Sequence, residues 1–201
     1  MNTLIVKLLP GIVEGVAKGG FATLFNIKCT GMGLLWRLKQ LGSAAYEGLE
    51  SSKEADYIWI PSPLRHFSCD DWPTLVLECG LSKLIERLEI EAGWWFHNSA
   101  GDVRIVILIS VSHADKKVWI DQWELSTAPN PEVGKDSPQP TITVPVKTCH
   151  VEMVDGKATG GPLRLKFNKP FLRDPRQGEG DIVFTREDLQ VYGAHVWEFS
   201  Y

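Results

Sequence analysis

The stretch VRIVILISV, Val103 to Val111, constrains the fold more than any other part of the chain. An almost unbroken run of β-branched and aliphatic residues suits a strand covered on both faces, because a strand with one wet face alternates apolar and polar residues. Such a strand needs one layer above it and another below. The preceding segment Ser82 to Phe96 offers one: Leu84, Ile85, Leu88, Ala92 and Trp95 recur at three- and four-residue spacing with charges between them, which predicts an amphipathic helix. Before that helix, Thr74 to Glu78 is a second short apolar run. Strand, helix, strand in this order is a βαβ-like unit, expected as a right-handed parallel crossover. Functional groups in such sheets gather at strand ends and in the adjoining loops.

The flanking segments extend this unit. Ala55 to Ile60 is rich in β-formers and is closed by Pro61 and Pro63. In KVWIDQWEL, Val118, Ile120 and Gln122 alternate with Trp119, Asp121 and Trp123, which predicts an antiparallel partner for Val103 to Val111 through the SHADKK turn. Thr3 to Leu9 has strand composition and Pro10-Gly11 ends it. A helix is expected from Ile12 to about Phe25, although Gly15, Gly19 and Gly20 each cost about 1 kcal/mol relative to Ala. Leu34, Leu35, Leu38 and Leu41 fall at helical spacing and predict a second helix stopped by Gly42. Ser126 to Pro140 lacks periodicity and is rich in Pro, Ser, Asn and Gly, so a mobile loop is expected there. Beyond it, TITVPVKTCHVEMV and PLRLKF predict a hairpin around VDGKATGG, and Thr185 with Glu187 and Asp188 marks the start of a last helix. These elements describe one α/β unit: a core over 1–125, a flexible loop over 126–140, and a β-rich extension over 141–201 packed on the same domain.

With 201 residues, 44% of them apolar, and eight Trp, the chain has material for one well-buried domain. The formal charge of -4 weighs against coating nucleic acid by bulk electrostatics and leaves room for a local basic groove. Cys29, Cys69, Cys79 and Cys149 form no CxxC pair, so free thiols in a reducing compartment are expected. Lys7, Pro10 and Glu14 interrupt the N-terminal apolar run and no small-residue cleavage site follows, which disfavours a signal peptide. No membrane partner is expected, and the cytoplasm or nucleus is the expected location. The five histidines form no ligand-like pair, and neither GxSxG nor a Walker-type loop is present.

Two carboxylates stand out because they punctuate strands: Asp56 opens DYIWIP and Glu78 closes TLVLE. If the two strands lie side by side, both side chains reach one point. Hard cations such as Mg²⁺ take a few carboxylate oxygens, waters and a substrate phosphate, and the backbone carbonyl of Cys79 could complete such a set. The alternative is structural: Asp56 solvated at a strand edge and Glu78 paired with a Lys or Arg of the next helix. The stretch LRLKFNKPFLRDPR offers Arg164, Lys166, Lys169, Arg173 and Arg176 either to a phosphate backbone or as a solvated rim.

The segments SKEADYIWIPS, WPTLVLECGLSK and LEIEAGWWFHNSAGDVRIVILISVSHADKKVWIDQWEL resemble the restriction-endonuclease-like PD-(D/E)XK superfamily, over roughly Lys53 to Leu125. They are similar in particular to a group of fungal proteins that carry this domain, and TGGPLRLKFNKPFLRDPRQGEGDIVFTREDLQVYG resembles the C-terminal part of those proteins. The resemblance implies an α/β fold of the α+β variety, a mixed sheet flanked by helices with a C-terminal β-rich extension, and a split metal site on a strand pair. Asp56 matches the aspartate of the first half-motif, with Ala55 where proline often stands, and Glu78 matches the acid of the second. Glu14 is the candidate for a further acid on the first helix. Where the superfamily has lysine two residues after its second acid, this chain has Gly80, so Lys83 or Arg87 on the following helix is the implied substitute. The implied activity is Mg²⁺- or Mn²⁺-dependent hydrolysis of DNA or RNA phosphodiesters; the alternative is a catalytically silent nuclease-fold module used for binding. The sequence leaves the oligomeric state open.

Overall fold

The computed structural model describes residues 11–62, 71–133 and 140–198, apart from the side chain of Lys83. The order of elements is helix α1 (Ile12–Gly31), strands β1 (Leu38–Glu47), β2 (Ser52–Pro61) and β3 (Leu75–Leu81), helix α2 (Ile85–Asn98), and strands β4 (Ile105–Ser112), β5 (Lys117–Pro129), β6 (Thr141–Val154), β7 (Lys157–Gly160) and β8 (Leu163–Leu165). They are followed by a short helix α3 (Asn168–Phe171), strand β9 (Ile182–Phe184) and helix α4 (Arg186–Trp197). Strands β1 to β7 form one mixed sheet in sequence order, and β8 pairs with β9 in a small separate sheet. Within the large sheet β3 and β4 are parallel, joined by α2, and the other neighbours are antiparallel.

The apolar run at Val103 to Val111 is explained by the layers around it. Ile105, Ile107 and Ile109 face α1 and the small sheet, whereas Val106 and Leu108 face α2. Strand β3 divides in the same way, with Leu75 and Leu77 on one side and Val76 on the other. Aromatic rings seal the α1 side: Phe21 stacks on Phe184 at 5.2 Å and Phe25 lies 4.9 Å from Trp59. On the α2 side Trp95 is fully buried against Tyr46, Trp72 and Trp94. The C-terminal residues share these layers. Strands β6 and β7 continue the main sheet, and α4 packs on α1, its Tyr192 hydroxyl donating to the Ala17 carbonyl at 2.9 Å. A complete capping box at Thr185 and Asp188 starts α4 where the sequence placed it.

Three expectations need correction. The leucines after Gly33 do not form a helix: only a single tight turn, Leu35–Arg37, precedes strand β1. Here β2 offers a partner along its whole length, from Leu38 opposite Pro61 to Glu47 opposite Ser52, and this ladder satisfies the backbone that a short local pattern assigned to a helix. The segment 126–140 is not all loop. β5 runs on to Pro129 opposite Thr141 of β6, because backbone pairing needs no side-chain burial and leaves no apolar period to read. The hairpin around VDGKATGG joins β6 to β7, and the chain then leaves the sheet at Gly160 and Gly161, both at positive φ, so PLRLKF pairs with β9 instead. The expected strand at Thr3 to Leu9 lies outside the described residues. No described helix is long and apolar enough to cross a membrane.

Candidate functional site

Asp56 and Glu78 lie next to each other because of where the β2–β3 ladder stops. Trp59 pairs with Leu75, Ile58 with Val76 and Tyr57 with Leu77, and Asp56 and Glu78 are the next residue on each strand. The β1–β2 register also passes over Asp56, pairing Gly42 with Tyr57 and Ala44 with Ala55 around Ser43, whose φ is 49°. Freed from the ladder, the Asp56 side chain takes the place of backbone: its Oδ2 accepts from the Cys79 N–H at 2.8 Å. Its Oδ1 accepts from Lys18 Nζ of α1 at 2.6 Å.

Glu78 is 4% exposed and looks toward α2. Trp95 Nε1 donates to its Oε1 at 2.6 Å, and Lys53 Nζ lies 3.2 Å from the same oxygen while reaching Glu91 at 3.1 Å. Burial pushes the Glu78 carboxyl up to about 7, against the opposing pull of Lys53 and Trp95, and the negative charges of Asp56 and Glu91 push the same way as burial. Glu14 is also buried. Its Oε2 has no hydrogen-bond partner among the described residues and stands 3.6 Å from His113 Nε2. Cys79 joins the three acids: burial raises its thiol pKa, the charges of Asp56, Glu14 and Glu78 raise it further, and its Sγ lies 3.6 Å from the Glu14 carbonyl oxygen.

The structure thus brings Glu14, Asp56, Glu78 and Cys79 to one end of β3, with partners that the sequence did not suggest. Lys83 is the middle residue of the turn Ser82–Leu84 after β3, and its side chain lies outside the described residues. Arg87 pairs with Glu91 on its own helix at 2.9 Å, its side chain 70% exposed, which is the solvated-face reading. The cations at the acids are Lys18 and Lys53. Lys18 had a signal, since it lies four residues after Glu14 on one helix; Lys53, three residues before Asp56, had none. At Gly80 a Cβ would lie 3.4 Å from the Leu88 side chain of α2, an ordinary van der Waals contact. Among the described residues no group of three or more His, Cys, Asp or Glu is arranged to hold a metal ion.

A second buried acid repeats the pattern two strands away. Asp121 of β5 is 3% exposed, accepts from Lys147 at 2.8 Å and meets His150 Nδ1 at 2.5 Å; Lys147 also bridges to Glu89 of α2 at 3.0 Å. Lys53 and Lys147 thus each clamp an acid of α2 to a buried acid of the sheet. The basic stretch is committed to its own fold in much the same way. Arg164 pairs with Asp181 at 3.2 Å, Lys169 with Glu124, and Arg173 forks onto Glu179 at 2.5 and 2.8 Å while lying over the Phe167 ring. Arg173 holds the Glu179 carboxyl down to about 2. Lys166 and Arg176 are exposed.

No family model matches this chain, and no curated protein matches it. Among solved structures, a DUF820 protein from Anabaena variabilis, provisionally described as a nuclease, is similar over 94% of this chain and 86% of that one, with 9% identity and a TM-score of 0.46.

Proposed function

We propose that the protein is a restriction-endonuclease-like phosphodiesterase that cuts DNA or RNA with the help of a divalent cation. The observation that carries this reading is the end of the β2–β3 pair, where Asp56 leaves the ladder beside Glu78 and Lys18 brings an ammonium to 2.6 Å from Asp56. That ammonium supplies the positive charge that Gly80 lacks. One or two carboxylates, waters and a substrate phosphate are the ordinary donors of Mg²⁺. Asp56 would be one such carboxylate and Glu14, whose Oε2 has no hydrogen-bond partner among the described residues, a second on the same α1 side, while Glu78 faces α2 and would join them by leaving Trp95 and Lys53. Such an ion, when bound, polarises a phosphoryl oxygen and acidifies a water. The chain's own residues do the rest. Asp56, anchored on the Cys79 N–H, keeps its position relative to β3. Lys18 offers its charge to a phosphate oxygen or to the attacking water once it exchanges Asp56 for substrate. Glu78 must be ionised to act as a ligand, which its raised pKa places at neutral pH and above.

A second reading has its own observation. Lys18, Lys53 and Trp95 already satisfy both carboxylates, an arrangement that also suits a silent module of the same fold used for binding. The test is cleavage of single- and double-stranded DNA and RNA by the full chain with Mg²⁺ or Mn²⁺, run beside Mn²⁺ calorimetry. Cleavage in the native protein that falls about 100-fold or more in Asp56→Asn and in Lys18→Met supports the phosphodiesterase. Absence of both cleavage and Mn²⁺ binding supports the silent module.

A further inference from the structure

We propose that Glu14 and His113 together hold a divalent ion of the Zn²⁺ and Co²⁺ class, in preference to Mg²⁺, on the α1 side of the β3 end. What the ion does there rests on the phosphodiesterase reading, whereas which ion it is rests on this pair of side chains. The carboxyl of Glu14 is the first observation. Glu14 is 7% exposed, and its Oε2 has no hydrogen-bond partner among the described residues. A buried carboxylate oxygen left unmet is costly, and a bound ion is a common reason for one. The lack of a side chain at Gly11 gives this carboxyl its place, since a Cβ there would lie 2.5 Å from Oε2.

The second observation is the imidazole beside that oxygen. His113 directly follows β4, and its Nε2 stands 3.6 Å from Glu14 Oε2. This is too long for a good hydrogen bond, whose heavy atoms lie about 2.7–3.2 Å apart. It suits two ligands of one ion: donors each about 2.1 Å from a tetrahedral ion stand about 3.4 Å from one another. The Trp197 ring meets the imidazole edge to face, with centroids 5.9 Å apart, and restricts it. The His113 side chain is 51% exposed, so an ion can reach the pair from solvent. Two protein donors leave the other positions to water and to a substrate phosphate.

The chemistry of the two donors selects the ion. Mg²⁺ takes oxygen ligands, whereas an imidazole nitrogen suits Zn²⁺ and the later first-row ions, which bind mixed nitrogen and oxygen sites more tightly. The pair also lies where such an ion serves the proposed reaction. Cys79 touches both places: its N–H donates to Asp56 Oδ2 at 2.8 Å, and its Sγ lies 3.6 Å from the Glu14 carbonyl oxygen. Lys18, one turn after Glu14 on α1, donates to Asp56 Oδ1 at 2.6 Å. An ion on Glu14 and His113 therefore stands on the same side of the sheet as Asp56 and Lys18, while Glu78 faces α2. The rival arrangement is a plain hydrogen bond, made when a small rotation brings His113 onto Glu14. It needs no ion.

Calorimetry of the full chain with Co²⁺ and with Mg²⁺, together with the visible absorption of bound Co²⁺, tests this. Co²⁺ is expected to bind one site about tenfold or more tightly than Mg²⁺, with an absorption band distinct from that of the aqueous ion. His113→Leu, at a half-exposed position, should keep the far-UV circular dichroism of the native chain, lose that band and weaken Co²⁺ about tenfold or more, with Mg²⁺ binding unchanged. Glu14→Gln should weaken Co²⁺ as well. Absence of Co²⁺ binding, equal affinity for the two ions, or Co²⁺ binding that both variants leave intact would each overturn the proposal. The two readings fail separately. Co²⁺ binding that both variants lose, in a chain that cuts no nucleic acid, keeps the ion site and removes the phosphodiesterase; Mg²⁺-driven cleavage with Co²⁺ binding untouched by His113→Leu does the reverse.

Discussion

Glu78→Gln replaces a buried carboxyl by an amide of nearly the same shape, so its effect on stability is electrostatic and leaves no cavity. The carboxyl goes from an ordinary value of 4.5 to about 7 in the folded chain, chiefly through burial. At 1.36 kcal/mol per tenfold change in proton affinity, this difference amounts to about 3 kcal/mol. The sign follows from proton linkage: the folded chain holds this proton more tightly than the unfolded chain. The stabilisation is therefore complete below pH 4.5 and is lost as pH rises through 7. The amide of the variant mimics the protonated form at every pH. Urea unfolding followed by Trp fluorescence should find the two proteins similar near pH 4.5 and the variant more stable by about 3 kcal/mol above pH 8. Parallel stability curves, or a variant weaker than native at pH 8, would refute the claim that burial outweighs Lys53 and Trp95 at this carboxyl. Such a result would also remove the pH threshold expected for metal binding.

Other perturbations test how the frame around the site is held. Thr185→Ala removes the hydroxyl that caps α4 and should cost about 1 kcal/mol, lowering the melting temperature by roughly 2–4 °C in scanning calorimetry. Gly160→Ala should cost at least about 2 kcal/mol in urea unfolding, since φ is +80° and the new Cβ would lie 2.2 Å from the His150 carbonyl oxygen. Gly156→Ala is its counterpart: φ is +70° but the space is open, so only the backbone cost, about 1 kcal/mol, is expected.

What could be read from the sequence was what local periodicity and strand ends encode. The central strand, the helix before it and the antiparallel strand after it were legible because an apolar residue declares its burial wherever the chain folds. Asp56 and Glu78 were legible as candidates because a charge at the end of a buried strand needs an explanation, and the register makes them neighbours. Their partners were not legible. Lys18 lies 38 residues from Asp56 and Trp95 lies 17 from Glu78, and only the docking of α1 and α2 on opposite faces of the sheet brings them into contact. The same limit explains β1, where a leucine pattern at helical spacing lost to a strand partner that no local window contains. It also explains the basic stretch, whose charges were evident while the acids that neutralise Arg164, Lys169 and Arg173 were not. The amino-acid order by itself determines which residues must be buried and which are charged. Tertiary structure alone decides which charges meet, because ion pairs and ladder bonds form between groups that sequence separation does not relate.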